Sequence, residues 1–212
     1  MTELSRKELK KLLLKFPFPY TLLNKMYKRV KRMRGLIGKA EGVDGLQLEF
    51  LIEQIGKGNL VLEIGAFKGQ TSREIAKNNQ VVAIDPFLAD QSDGTLQGEF
   101  PSEVYSQFIK NTKNMNVVLI PQKSDEAFRY WDKEVKKKFD FIFIDGLHTY
   151  EGVKTDFKWI KYLKRGGRVA FHDIEIPGIK KFLNENLRDN KKFKPLSVGP
   201  PNFLDIFEYG EK

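Results

Sequence analysis

Apolar residues fall along this chain in two rhythms, and the switches between them outline a fold. The runs NLVLEIG (59–65), QVVAIDP (80–86), NVVLI (116–120), FDFIFID (139–145) and GGRVAFHD (166–173) are short and almost continuously apolar, which reads as strands buried on both faces. Between them, apolar residues recur every three or four positions in GQTSREIAKNN (69–79), SEVYSQFIKNT (102–112), SDEAFRYWDKEV (124–135), YEGVKTDFKWIKYLK (150–164) and PGIKKFLNENLRD (177–189). That period predicts helices. KFKPLSV and NFLDIFEY predict a closing hairpin. Strands alternating with helices make βαβ units, so the expected class is α/β, a doubly wound and mostly parallel sheet with helices on both faces.

The first forty residues follow another plan. Ser5 and Glu8 form a capping box ahead of Leu9, Leu12, Leu13 and Phe16, and FPFP stops that helix. A second helix over about Thr21–Arg34 would place Leu22, Leu23, Met26, Val30 and Met33 on one face. Asp44 with Gln47 is expected to cap a third helix, ending near Ile55. The division expected is a basic amphipathic helical extension, 1–41, and a Rossmann-like domain, 42–212.

Charge sharpens the division. Residues 1–40 hold 12 Lys and Arg against 2 Asp and Glu, whereas the remaining 172 hold 25 against 26. The net charge of +9 therefore belongs to the extension, and the main domain is neutral. Two basic amphipathic helices suggest a solvated face or one resting on an anionic membrane; nucleic acid is the weaker partner, with only Tyr20 and Tyr27 for stacking. With 41% apolar and 12% aromatic residues the chain can pack a core. It has no cysteine, which removes disulfides and thiolate chemistry. With neither a signal-like apolar core nor a run long enough to span a bilayer, the expected location is cytoplasmic, peripheral to a membrane if the basic helices bind one.

Candidate chemistry sits where such a sheet binds ligands, beyond the carboxyl ends of its strands. The fourth run ends in Asp145, Gly146 and His148, and the fifth in His172 and Asp173. Both histidines of the chain thus stand beside an aspartate at a strand end. Gly65 and Gly69 flank the turn after the first strand, and Asp85 ends the second strand 20 residues beyond Gly65, where a carboxylate can bind ribose hydroxyls. The G-x-G-x-x-G cradle for a pyrophosphate is absent. Glu63, just before the first glycine, would repel a diphosphate but suits a ligand carrying an ammonium and a sulfonium.

The blocks VLEIGAFKGQTS, VVAIDPF, FDFIFIDGLHTYEGVKTDF and LKRGGRVAFHD resemble the class I S-adenosylmethionine-dependent methyltransferases, in particular the branch of macrocin-type sugar O-methyltransferases and cephalosporin-hydroxylase-like proteins. The resemblance covers roughly residues 42–209; Phe67 departs from the middle glycine common in the broad class. It implies a seven-stranded sheet in the order 3-2-1-4-5-7-6, with strand 7 antiparallel. It also implies that Glu63, Gly65, Ala66 and Gly69 line the methionine end of the cofactor, with Asp145 nearby, Asp85 on the ribose, and Ser124 and Asp125 near the adenine.

O-methylation needs a way to make a hydroxyl nucleophilic. Asp145 and Asp173 suit a divalent ion, Mg²⁺ or Mn²⁺, with His172 as the neighbouring ligand; an imidazole there tilts the preference towards softer ions. His148, three residues past Asp145, is the candidate general base. Blander roles stand beside these: Asp145 as the cap of the helix opening near Thr149, His172 as a satisfied, half-buried side chain, Asp156 as an exposed helix acid, and Tyr150, Val153, Phe157, Ile160 and Trp159 as packing. The loop 87–101 is expected to act as a lid, with Glu99 an acceptor contact. The expected activity is methylation of a hydroxyl on a sugar, a glycolipid or a similar small polar acceptor, by a protein that could self-associate. The competing readings are an RNA methyltransferase and a non-catalytic cofactor-binding module recruited by its basic helices.

Overall fold

The computed structural model describes Val43 and residues 45–88, 101–196 and 204–210. The expected helices of the basic extension, the residue Asp44, most of the 87–101 loop and Glu99 lie outside these described residues.

The apolar runs become strands as the pattern requires: β1 (Leu60–Ile64), β2 (Gln80–Ile84), β3 (Val117–Ile120), β4 (Phe139–Ile144) and β5 (Leu163–His172). The short β6 (Phe193–Pro195) and β7 (Leu204–Tyr209) form the terminal hairpin. The sheet order is β3-β2-β1-β4-β5-β7-β6. β1 to β5 pair in parallel, while β7 runs antiparallel to both β5 and β6. The expected topology is the observed one.

Helices cover both faces because consecutive strand residues point to opposite sides. Val61, Ala83, Phe141, Phe143 and Ala170 pack beneath α1 (Gly45–Ile55), α2 (Gln70–Ala76) and α3 (Pro101–Thr112). Leu62, Ile84, Ile142, Val169 and Phe171 pack beneath α4 (Ser124–Tyr130), α5 (Tyr150–Asp156) and α6 (Pro177–Leu183). Each large apolar side chain buried in these layers contributes about 1.5–3 kcal/mol.

Three helices differ from expectation at their carboxyl ends. The helices starting at Ser124 and Pro177 widen into π turns over Trp131–Val135 and Asn184–Arg188. The helix starting at Tyr150 tightens into a 3-10 segment over Phe157–Tyr162. Tertiary packing decides this: Trp131, Trp159, Tyr162 and Leu187 all bury into one layer, and the altered winding turns them inward. Trp159 is core, as are the packing roles expected for Val153, Phe157 and Ile160.

The strands end level. Ile84, Ile64, Ile144 and Phe171 are successive partners across β2, β1, β4 and β5. The next residue on each is Asp85, Gly65, Asp145 and His172, so one row across the sheet's carboxyl rim collects residues far apart in the chain.

Candidate active site

Four side chains converge on that rim. Phe143 and Ala170 face α1 to α3, and by strand alternation Asp145 and His172 point to the same side. Asp173 would point away if the strand continued. Instead its backbone adopts the left-handed conformation, φ 51°, and the carbonyl accepts from Ile176 N at 2.9 Å, turning the carboxylate back towards its neighbour. Aspartate is among the residues that tolerate this conformation, and such strain is often held at functional sites. His148 comes round from the loop after β4, which Thr149 ends by capping α5: its side chain accepts from Gly152 N at 3.1 Å. Asp145 is therefore not the helix cap.

The resulting geometry is tight. His172 Nδ1 lies 3.1 Å from Asp145 Oδ1 and 3.1 Å from Asp173 Oδ2. His148 Nε2 lies 3.1 Å from Asp173 Oδ2 and 3.7 Å from Asp145 Oδ1. Yet both ring nitrogens are buried without an aligned hydrogen-bond partner. His172 is only 9% exposed, so it is neither half-buried nor satisfied through Nδ1. Its other nitrogen, Nε2, lies 3.4 Å from Oε1 of Gln47, a residue 5% exposed on α1. An Nε2–H towards that amide oxygen leaves Nδ1 facing the two carboxylates. Asp145, His148 and Asp173 each offer a ligand atom within 4.8 Å of the others, a spacing that could hold a divalent ion.

Electrostatics bind the group together. Contact with Asp145 first, then Asp173, outweighs burial and holds the His148 imidazolium up to about 10. For His172 burial pulls downward, but Asp145 and Asp173 outweigh it and the ring again lies at about 10. Burial pushes both carboxyls up; the two imidazoles overcome it and hold Asp145 and Asp173 below the ordinary range.

The first turn lies against this cluster. Gly65 has φ 88°, and a Cβ there would fall 1.9 Å from the Asp145 carbonyl oxygen, so the turn after β1 and the end of β4 touch backbone to backbone. Phe67 also takes a left-handed conformation, φ 44°, in place of the glycine common in the broad class. Asp85 clamps the turn: Oδ2 accepts from Phe67 N and Oδ1 from Phe87 N, each at 2.8 Å. Burial raises its pKa against these backbone donors. With Ala66 as a third backbone donor, the carboxylate still keeps a lone pair for a ribose hydroxyl. Ala66 is buried in the turn, and Gly69 opens α2.

Other predicted residues also make contacts within the protein. Glu63 is 1% exposed and accepts from the Ser72 hydroxyl on α2; burial pushes it up to about 8. Ser124 Oγ accepts from Trp159 Nε1 at 3.1 Å, and Asp125 pairs outward with Arg129 at 2.7 Å. Asp156 is not an exposed helix acid. It is 4% exposed, its Oδ2 would lie 2.6 Å from any Cβ at Gly146, and burial pushes it up to about 7. It thus underpins the loop that carries His148. Gln47 reaches His172. A lone buried amide on an otherwise apolar helix face was the signal available for it.

A doubly wound sheet in this order is the fold of the class I methyltransferases. Residues 62–174 match the family described as "Methyltransferase domain", and the chain belongs to that family. An uncharacterised protein of Acanthamoeba polyphaga mimivirus is 27% identical over 134 residues, 60% of this chain. That match spans 58% of the viral protein's length. Among solved structures, a TDP-rhamnose 3′-O-methyltransferase of calicheamicin biosynthesis superposes with a TM-score of 0.58 at 20% identity, covering 99% of this chain and 97% of the other. An O-methyltransferase from Bacillus cereus, solved with S-adenosylhomocysteine, gives 0.59 at 19% identity, covering 92% and 93%. An rRNA methylase from Streptococcus thermophilus gives 0.55 at 17%, covering 82% and 100%. Among the described residues no helix is long and apolar enough to cross a membrane.

Proposed function

We propose that this methyltransferase is an S-adenosylmethionine-dependent O-methyltransferase acting, with a divalent ion, on a hydroxyl of a sugar or similar small polar acceptor. The observation that carries this reading is the contact between the turn at Gly65 and the strand end at Asp145, which sets a candidate cofactor cradle against the imidazole–carboxylate cluster.

In this reading Gly65, Ala66 and Gly69 hold the methionine end together with Glu63, Asp85 takes the ribose, and Ser124 and Asp125 border the adenine. S-adenosylmethionine would supply an electrophilic methyl group on a sulfonium. A divalent ion at Asp145, Asp173 and His172 would lower the pKa of the acceptor hydroxyl. The chain's own part is positioning and proton control. The two aspartates orient the acceptor, Gln47 fixes the His172 ring, and Asp156 supports the His148 loop. The Nε2 of His148 has one lone pair, which can accept a proton or bind an ion but not both at once.

The sugar hydroxyl is favoured by the likeness to the TDP-rhamnose enzyme over 99% of the chain. RNA is disfavoured because residues 41–212 carry no excess of positive charge for a phosphate backbone. The basic segment 1–40 would rest on an anionic membrane beside a glycolipid-like acceptor, a reading that vesicle co-sedimentation independent of anionic lipid would end.

Calorimetric titration tests the core. S-adenosylmethionine should bind at one site per chain, and radiolabelled methyl should pass to nucleotide sugars, stop with EDTA and return with Mn²⁺ or Mg²⁺. An absence of binding heat together with no transfer would defeat the reading.

A further inference from the structure

We infer that the amino-terminal rim of the sheet, opposite the candidate active site, is a docking face for an anionic membrane surface. The charge of residues 41–212 cancels in sum but not in space. The segments that lead into β1 to β6, 56–59, 77–79, 113–116, 136–138, 164–167 and 189–192, hold ten basic residues against one acid, Asp189. The described segments that leave β1 to β5, 65–69, 85–88, 121–124, 145–149 and 173–176, hold Lys68 and Lys123 against Asp85, Asp145, Asp173 and Glu175.

Backbone pairing sets the basic segments side by side. Gly58 N donates to Asn78 O at 2.9 Å, Val81 N to Asn116 O at 3.0 Å, and Gly210 N to Lys192 O at 2.9 Å. A Cβ on Gly210 would lie 3.8 Å from Cγ of Arg165, which joins the segments before β5 and β6. Seven strands at a spacing of about 4.8 Å make the rim about 29 Å long. Its ten basic side chains are all exposed. Asp140 pairs with Lys164 and Glu74 with Lys77, but Lys136, Lys137, Lys138, Lys191 and Lys192 make no ion pair among the described residues.

The composition of the rim favours lipid over nucleic acid. Nine of the ten cations are lysines, and the six segments contain no aromatic residue. RNA recognition calls on stacking aromatics and planar guanidinium groups, whereas hydrated ammonium groups on flexible stems suit a diffuse anionic surface. Val135, 40% exposed beside the run 136–138, adds an apolar contact at headgroup level. The five residues of β1 alone span about 17 Å, so a bilayer on this rim leaves the carboxyl rim facing water. Taken with sugar O-methylation, that orientation selects a water-soluble acceptor over a glycolipid of the same bilayer; the docking itself does not rest on the proposed activity.

The test uses the full chain and vesicles of phosphatidylserine and phosphatidylcholine in equal parts. Removing three rim charges together, Lys136→Gln, Lys137→Gln and Lys138→Gln, should weaken co-sedimentation at least about tenfold. Lys154→Gln, Lys180→Gln and Lys181→Gln remove the same charge from helices that start at the other rim, and binding should stay within about threefold of wild type. Segment 1–40 is intact in both variants, so its charge cancels in the comparison. Because the chain has no cysteine, Val135→Cys and Glu151→Cys each carry a single fluorophore, and this readout needs no lysine variant. Spin-labelled lipid headgroups should quench the label at 135 but not the one at 151, in the first turn of α5. Equal losses in the two lysine triples, or equal quenching at the two labels, would overturn the inference. So would single-stranded RNA that binds through the same three lysines more tightly than vesicles at equal phosphate concentration. Titration of the same variants with S-adenosylmethionine reports separately on the methyltransferase reading.

Discussion

Replacing Glu63 by glutamine should stabilise the protein near neutral pH and flatten its stability-versus-pH curve. The carboxyl is 1% exposed and its one hydrogen-bond partner shown is the Ser72 hydroxyl. Burial raises it from 4.5 to about 8, opposed by Ser72 and reinforced by the charges of Asp145 and Asp85. Between those values the folded protein holds a proton that the unfolded chain has released, so stability falls as pH rises through the window. The loss amounts to about 3 kcal/mol by pH 7 and about 5 kcal/mol above pH 8. Glutamine keeps the shape and can still accept from Ser72, but does not titrate. Urea midpoints measured for both proteins at pH 5, 7 and 8.5 should therefore diverge, with the variant ahead by a margin that widens with pH. Asp156, also raised, to about 7, adds the same slope to both proteins and cancels in the difference. Parallel curves would refute the reasoning. A cofactor ammonium beside Glu63 would favour the carboxylate, so the same variant should bind S-adenosylmethionine more weakly even as it folds more stably.

Gly65→Ala should prevent folding or cost well over about 2 kcal/mol, since the new Cβ meets a carbonyl oxygen at 1.9 Å. Gly58→Ala, with φ 76° but nothing within 4 Å, should cost only about 1–2 kcal/mol by thermal melting; equal costs would contradict the close-approach argument. Thr149→Ala removes the cap on Gly152 N and should lose about 1 kcal/mol in urea titration, with a larger fall in turnover because the His148 loop loosens. Asp173→Asn keeps a residue that tolerates φ 51° and should cut turnover at least about a hundredfold while leaving methyl-donor affinity within about twofold; full activity would remove Asp173 from the site.

Much of this was legible in the chain because strand ends are written in apolar runs. Once Ile84, Ile64 and Ile144 are placed as final strand residues, with Phe171 level with them on β5, parallel pairing alone brings Asp85, Gly65, Asp145 and His172 into one row. What was not legible depends on contacts between distant elements. Gln47 lies 125 positions from His172, and no local pattern links them. Asp156 looks like a solvent-facing acid by helical spacing, but the absence of a side chain at Gly146 lets the loop close over it. The bond that the Ser72 hydroxyl of α2 donates to Glu63 also has no signature in the sequence. The left-handed turn at Asp173, which makes adjacent residues face one point, has no signature in a sequence where aspartate also suits caps and loops.

The most direct test of the account is an anomalous difference map from crystals grown with S-adenosylhomocysteine and Mn²⁺. It should show one peak within bonding distance of Asp145 and Asp173, with the nucleoside seated over the Gly65 turn and its ribose on Asp85. A nucleoside bound elsewhere, or a metal-free cluster with its imidazoles paired only to the aspartates, would contradict it.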